Sequence, residues 1–389
     1  MQTEQIKEPI WTNATFRSTV YQIAAIVIVA LTAYYLFTNT TANLAKQAIA
    51  TGFGFLSREA SFEIGESMIS FSSSDTYLRA LVVGALNTIK VSFIGIILTV
   101  ILGIIVGITR LSTNWLVSRI SAVYIEVLQD IPVLLQLFFW YTIFNNVMPS
   151  PRQAIIPFDG IVLCNRGAYF AIPADHPAFT YMGYAFIAAC LISFFIRRWA
   201  KKRQERTGQI FPIMTVSSAL IILFPFAAWF VMGSPTQMNM PTLKGFNFVG
   251  GYNVSPEFGS LLLGLVLYTS AFVAEIVRAG IQSISKGQRE AAESLGLRPI
   301  FIMNLVILPQ ALRVIIPPLT SQLLNLTKNS SLAVAIGYPD FVSTSNTTIS
   351  QTGQAIEGVA LIMIMYLTIS LLTSLFMNWY NDKMALIER

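Results

Sequence analysis

The chain has 389 residues, of which 54% are hydrophobic and only 11% charged, with a formal net charge of +6. Its mean hydropathy is +0.63, far from the soluble average, which excludes an ordinary globular enzyme and identifies a polytopic membrane protein. The positive balance reads as loop charge beside membrane spans rather than as a nucleic-acid footprint.

Eight apolar runs reach the length needed to cross a bilayer, at about 18–37, 82–109, 121–144, 180–196, 211–232, 259–280, 302–326 and 356–378. The expected fold is therefore all-α, a bundle of about eight transmembrane helices. The first run lacks a small-residue cleavage site at its end and is expected to stay as a helix. An even number of spans puts both termini on one side. With the termini cytoplasmic, 17 of the 25 lysines and arginines fall inside, as the positive-inside rule requires. The cluster from Arg197 to Arg206 contributes most to that asymmetry.

Residues 38–80 form an external insertion, whose first half reads either as a surface helix with Leu44, Ala48 and Ile49 facing the membrane or as plain cover for neighbouring spans. The second run carries Asn87, Thr88 and Lys90 near its outer end, a polar turn expected to extend out of the lipid. Gly95, Gly103 and Gly107 follow at spacings that allow close helix approach. The third run has Glu126 and Asp130 at what reads as a helix start, where negative charge is favoured, and Pro132 is expected to kink it. Residues 145–179 and 233–258 read as outer loops rich in Pro and Gly. The first holds the only histidine, His176, a poor metal candidate without further ligands at suitable spacing. Cys164 and Cys190 are expected at different depths, unpaired.

The densest polar signal lies between two apolar runs, from Gly280 to Pro309. Ser285 and Gln288 read as a capping box, Gly296 as a helix end and Pro299 as the next start. The resulting short helix, about 285–298, is too polar to span. Ala291 and Ala292, beside Glu290 and Glu293, offer a flat rimmed surface suited to docking in a groove. The alternative is an ordinary amphipathic connector.

Glu290-Ala291-Ala292, then Gly296, then Leu308-Pro309, resembles the EAA signature of ABC importer permeases. In that family this loop is the coupling helix that docks on the ATPase subunit. The flanking words resemble the polar amino-acid (HisMQ-like) branch, and the N-terminal part is similar to the Q-type permeases of general L-amino-acid importers. The resemblance implies a type I importer transmembrane domain over residues 80–389, with residues 1–79 as an N-terminal tail, accessory helix and periplasmic insertion. It also implies a paralogous M-type permease, two copies of an ATPase that bind ATP and Mg²⁺, a periplasmic amino-acid-binding protein and a place in the bacterial inner membrane. No bound cofactor, metal or nucleic acid is expected for this chain itself. The family pattern before Pro132 has a basic residue where this chain has Gln129, which puts any ion pair there in doubt.

No phosphate-cradling loop, nucleophile elbow or paired metal motif is present in the sequence, so ATP hydrolysis is assigned to another chain. Glu275 and Arg278, three apart, read as a helix-surface ion pair or as a functional intramembrane pair. Asn325, Lys328, Asn329, Ser330 and Ser331 form a polar group after the seventh run. There Lys328 is the candidate for a substrate carboxylate, or else a snorkelling side chain beside a capping turn. Gln136 and Gln322 are further pathway candidates, and Pro309, Pro317 and Pro318 are expected to make the seventh span irregular. A secondary transporter driven by an ion gradient is the rival reading, for which inverted repeats and buried acidic pairs are not evident. A structural membrane protein would leave the EAA loop without a role.

Overall fold

The computed structural model describes residues 14–46 and 51–384. Twelve helices occur among them: α1 Ala14–Lys46, α2 Tyr77–Arg110, α3 Trp115–Asp130, α4 Val133–Thr142, α5 Pro177–Thr207, α6 Ile213–Val231, α7 Pro256–Gln282, α8 Lys286–Ser294, α9 Pro299–Phe301, α10 Leu308–Asn329, α11 Phe341–Thr352 and α12 Ala355–Met384. Seven stretches are long and apolar enough to cross a membrane, or eight if the broken pair α3 and α4 forms one span. These coincide with the eight expected runs. The described residues fold as two compact units, those up to 129 together with those from 265 onward, and residues 130–264.

In the first unit, α1 continues through the start of the expected insertion, and its described side chains are mostly exposed. The side chains of Leu44, Ala48 and Ile49 lie outside the described residues. The segment that follows folds back onto the start of α2, where Phe55 and Ala60 bury against Tyr77 and Ala80. Thr76 caps α2 by accepting the Arg79 N–H at 3.3 Å.

Gly103 and Gly107, one turn apart on α2, do allow close approach. A Cβ on Gly107 would meet the Ala274 carbonyl at 2.7 Å and Val277 at 2.9 Å, so α2 and α7 pack with their backbones almost touching. The polar turn of α2 departs from expectation. Asn87 and Thr88 are fully buried, because the Asn87 amide donates to the Glu66 and Pro339 carbonyls at 2.8 and 2.9 Å and the Thr88 hydroxyl accepts the Phe341 N–H at 3.0 Å. Lys90 pairs with Glu66 at 2.6 Å. Two loops distant in sequence supply partners that the turn would otherwise have sought in water.

α3 begins at Trp115, with Asn114 accepting the Leu116 N–H at 3.0 Å. Glu126 and Asp130 consequently sit in the second half of the helix rather than at its start, and the dipole argument for them fails. Pro132 ends the helical run as expected, with α4 starting at the next residue.

The second unit contains an element that the all-helical expectation left as loop. Strands β1 Ile155–Phe158, β2 Ile161–Cys164, β3 Gly167–Phe170, β4 Ile172–Pro173, β5 Met238–Asn239, β6 Thr242–Lys244, β7 Asn247–Val249 and β8 Tyr252–Val254 form small antiparallel sheets. The largest has the order β1-β2-β3-β8, so the loop before α5 pairs with the loop after α6. Val162, Cys164 and Tyr169 make its core, with Phe248 packed on it. Tyr169 donates to Asn247 at 2.8 Å, and burial raises its pKa. Strands this short, separated by Gly and Pro, carry too little alternation to be read in advance. Both cysteines are free thiols.

Candidate functional site

Ser285 stands at the start of α8 with an extended backbone, but its hydroxyl makes no capping bond. Gln288 is engaged by Gln310, whose amide donates to it at 3.4 Å, so the expected capping box does not form. Arg289 and Glu293, four apart, pair at 3.0 Å on the exposed surface.

The end of α8 is more tightly determined. Gly296 takes φ +75°, its N–H donates to the Glu293 carbonyl at 2.9 Å, and the Leu297 N–H donates to the Ala292 carbonyl at 3.3 Å. This is a Schellman turn, closed by the apolar contact such turns favour, for Leu297 packs on the cluster of Ala292, Ile302 and Ile307.

That cluster divides the two alanines. Ala292 is 4% exposed and anchors α8 to the turn before α10, whereas Ala291 and Glu290 face outward. Leu295, the cap residue, is 80% exposed. The turn holds this large apolar side chain outward on the side of Glu290 and Ala291, and sequence reasoning did not single it out because Leu295 follows the helix pattern of an ordinary interior residue.

Between α9 and α10 the chain widens into a π-turn, Ile302–Ile307. Pro309 lies in the first turn of α10, where its ring would press on the carbonyl four residues earlier, and the wider preceding turn relieves that clash. Leu308 and Pro309 thus shape the joint between α8 and α10. Close to it, Glu275 and Arg278 pair on α7 and Arg278 also donates to Gln282 at 2.6 Å, as a surface ion pair would.

α10 runs unbroken to Asn329 despite Pro317 and Pro318 within it. Gln322, Asn325 and Asn329 recur at i, i+3 and i+7 and therefore share a face, with Lys328 beside them. Asn325 and Lys328 are exposed, Gln322 and Asn329 half-buried, while Leu323, Leu326 and Thr327 on the opposite side are buried. Ser330 and Ser331 behave differently. Their hydroxyls donate to the Thr327 and Lys328 carbonyls at 2.7 Å and close the helix end. Gln136 belongs to the other unit, is buried, and its amide donates to the Ile131 carbonyl at 2.9 Å in the turn broken by Pro132.

Behind the polar face lies a buried group that the sequence reading did not single out. Asp340 accepts the Ser343 N–H at 2.8 Å and caps α11, and the Tyr366 hydroxyl of α12 donates to its other oxygen at 3.2 Å. Burial is the main cause that raises the Asp340 pKa from 3.8 to about 6, against the lowering effect of these bonds. An Asp followed three residues later by Ser, opening the polar run Phe341–Thr352, was the available cap signal.

Comparison with known proteins places this geometry. The family described as binding-protein-dependent transport system inner membrane component matches residues 99–386. The chain is 50% identical over 375 residues to the general L-amino acid transport system permease protein AapQ of Rhizobium johnstonii, covering 96% of this chain and 94% of that one. It is 42% identical over 410 residues to the glutamate/glutamine/aspartate/asparagine transport system permease protein BztB of Rhodobacter capsulatus, covering 97% and 96%. An integral membrane chain with its EAA segment folded as a separate capped helix, matched over most of its length, belongs to the binding-protein-dependent transport system inner membrane components.

Proposed function

We propose that this chain is one of the two membrane-spanning subunits of an ATP-driven importer that carries L-amino acids across the bacterial inner membrane, its termini in the cytoplasm. The observation that carries the reading is α8, a rigid short helix fastened from beneath by Ala292 and Leu297 and presenting Glu290, Ala291 and Leu295 outward. A rigid protrusion fixed to the base of a long helix passes displacement on to that helix. In this reading α8 docks in a groove on an ATPase subunit, two copies of which hold ATP and Mg²⁺. Closure of the ATPase pair moves α10 through the joint at Leu308 and Pro309.

The names of the relatives support amino acids as cargo. Gln322, Asn325, Lys328 and Asn329 give α10 an open polar face, with a cation for a carboxylate and acceptors for an ammonium group. A paralogous M-type permease would face it, and a periplasmic binding protein would deliver the substrate. Residues 80–389 are assigned to this transport domain and residues 1–79 to an N-terminal addition.

The test is uptake of labelled L-amino acids into proteoliposomes that hold the complex purified with its partner subunits. Uptake should require ATP and the binding protein and should survive an ionophore. Collapse under the ionophore with ATP present would favour an ion-gradient transporter instead.

A further inference from the structure

The α5–α6 hairpin carries a feature that neither α8 nor α10 uses. Cys190, Ser193 and Arg197 share a face of α5, and Met214, Ser217 and Ser218 share a face of α6; together they line one open groove of about 650 Å³. The other lining is apolar, and no residue of α6 is buried.

Two observations mark the groove as a binding site. Ser193 is 9% exposed and its hydroxyl has no hydrogen-bond partner among the described residues. Helical hydroxyls such as those of Thr109, Thr207 and Thr320 donate to the carbonyl four residues back; those of Ser92, Thr99, Ser345 and Ser193 do not, and of these four Ser193 alone lines this groove. An unpaired buried hydroxyl is a cost that a ligand acceptor would remove. Arg197, in turn, is the first charge after 20 uncharged residues from Pro177, so it stands where the helix leaves the hydrocarbon. Arg198 stacks on Phe194 at 4.8 Å, and Arg203 lies over Trp199 at 5.4 Å, whereas Arg197 has no carboxylate or aromatic partner among the described residues. Residues 197–206 hold six cations against the single carboxylate of Glu205.

We propose that this groove seats an anionic glycerophospholipid. The phosphate meets Arg197, the glycerol and ester oxygens meet the hydroxyls of Ser193, Ser217 and Ser218 about one turn deeper, and an acyl chain follows the apolar floor past Cys190. The depth order matches that of a lipid: Arg197 at the end of the apolar run beside Ile213 and Met214, the hydroxyls next, and Cys190 and Ile221 deepest. A soluble anion would have no use for the apolar floor. The surrounding surplus of cations selects net negative charge over a zwitterionic headgroup.

The purified complex in mild detergent is titrated with phosphatidylglycerol, phosphatidylcholine or inorganic phosphate, with bound lipid counted by native mass spectrometry. Phosphatidylglycerol should bind in preference to phosphatidylcholine. Arg197→Gln should weaken it about five- to tenfold, and Lys202→Gln, outside the groove, should matter less. Ser218→Trp keeps every charge but fills the groove, and should also weaken binding. Equal binding of the two lipids, saturation by phosphate alone, or full retention in either groove variant would overturn the assignment.

Discussion

Gly296 turns the chain from α8 toward Pro299 with φ +75°, and a Cβ there would meet nothing within 4 Å. A substitution is therefore opposed by the backbone alone, at about 1–2 kcal/mol, and the strain would be relieved by loosening the turn that fastens α8. Gly296→Val should uncouple the complex, lowering ATP-driven uptake about tenfold while ATP hydrolysis persists; normal coupling would remove the coupling role from α8. Leu295 belongs to the same turn but acts outward. Burying a leucine contributes about 1.5–3 kcal/mol, so Leu295→Asp should weaken retention of the ATPase subunit during purification at least tenfold. If the ATPase stays bound at wild-type strength, the exposed Leu295 is not part of the contact. Ala292 faces inward, so changes there would report on packing rather than on docking.

At the scale of elements, α10 is legible in part. Its polar residues were visible by spacing, but spacing alone could not say which of them the tertiary structure leaves open. The helix ends at Asn329, and that terminus draws the hydroxyls of Ser330 and Ser331 back to the Thr327 and Lys328 carbonyls. Lys328, exposed on the open side, remains the candidate for the substrate carboxylate. Lys328→Gln should leave the complex assembled and ATP hydrolysis in place, yet lower uptake of L-amino acids severalfold. Measured beside Ser331→Ala, which should have little effect, the pair separates a pathway role from a helix-end role. Unaltered uptake in Lys328→Gln would return this residue to snorkelling. Glu126 and Asp130 show the opposite error, where a helix start placed six residues too late in the chain inverted the dipole argument.

For the whole molecule, Asp340 ties helices far apart in sequence. It caps α11, accepts from Tyr366 on α12, and its neighbours Pro339 and Phe341 bond to Asn87 and Thr88 of α2. The ionisable groups around it are Tyr366 on α12 and, through Asn87 and its bond to the Glu66 carbonyl, the Lys90–Glu66 pair. Its pKa lies at about 6 in the fold against 3.8 ordinarily. Between those values the folded chain holds a proton that the unfolded chain has lost, so this contribution to stability falls as pH rises through the window and the cost is complete above about 6. The size is about 3 kcal/mol. Asp340→Asn keeps a good cap and removes the charge, so it should flatten the pH dependence of thermal unfolding between about pH 4 and 6. A variant whose profile runs parallel to wild type would show that Asp340 does not titrate there.

The sequence by itself determined the membrane class, the eight apolar runs, the break at Pro132, the α8 segment with its glycine end, and the family, because each rests on local composition or short-range spacing. Only the tertiary structure decided that Asn87 and Thr88 are buried, that Ala292 anchors while Leu295 protrudes, that the loops on either side of the α5–α6 hairpin pair as strands, and that Asp340 sits among α2, α11 and α12. Ala292 is decided by partners 5 to 15 residues away, such as Leu297 and Ile307, and the other three by partners 20 to more than 250 residues away, such as Glu66 and Pro339 for Asn87. Burial and hydrogen-bond satisfaction are properties of the assembled neighbours, and no window along the chain contains them.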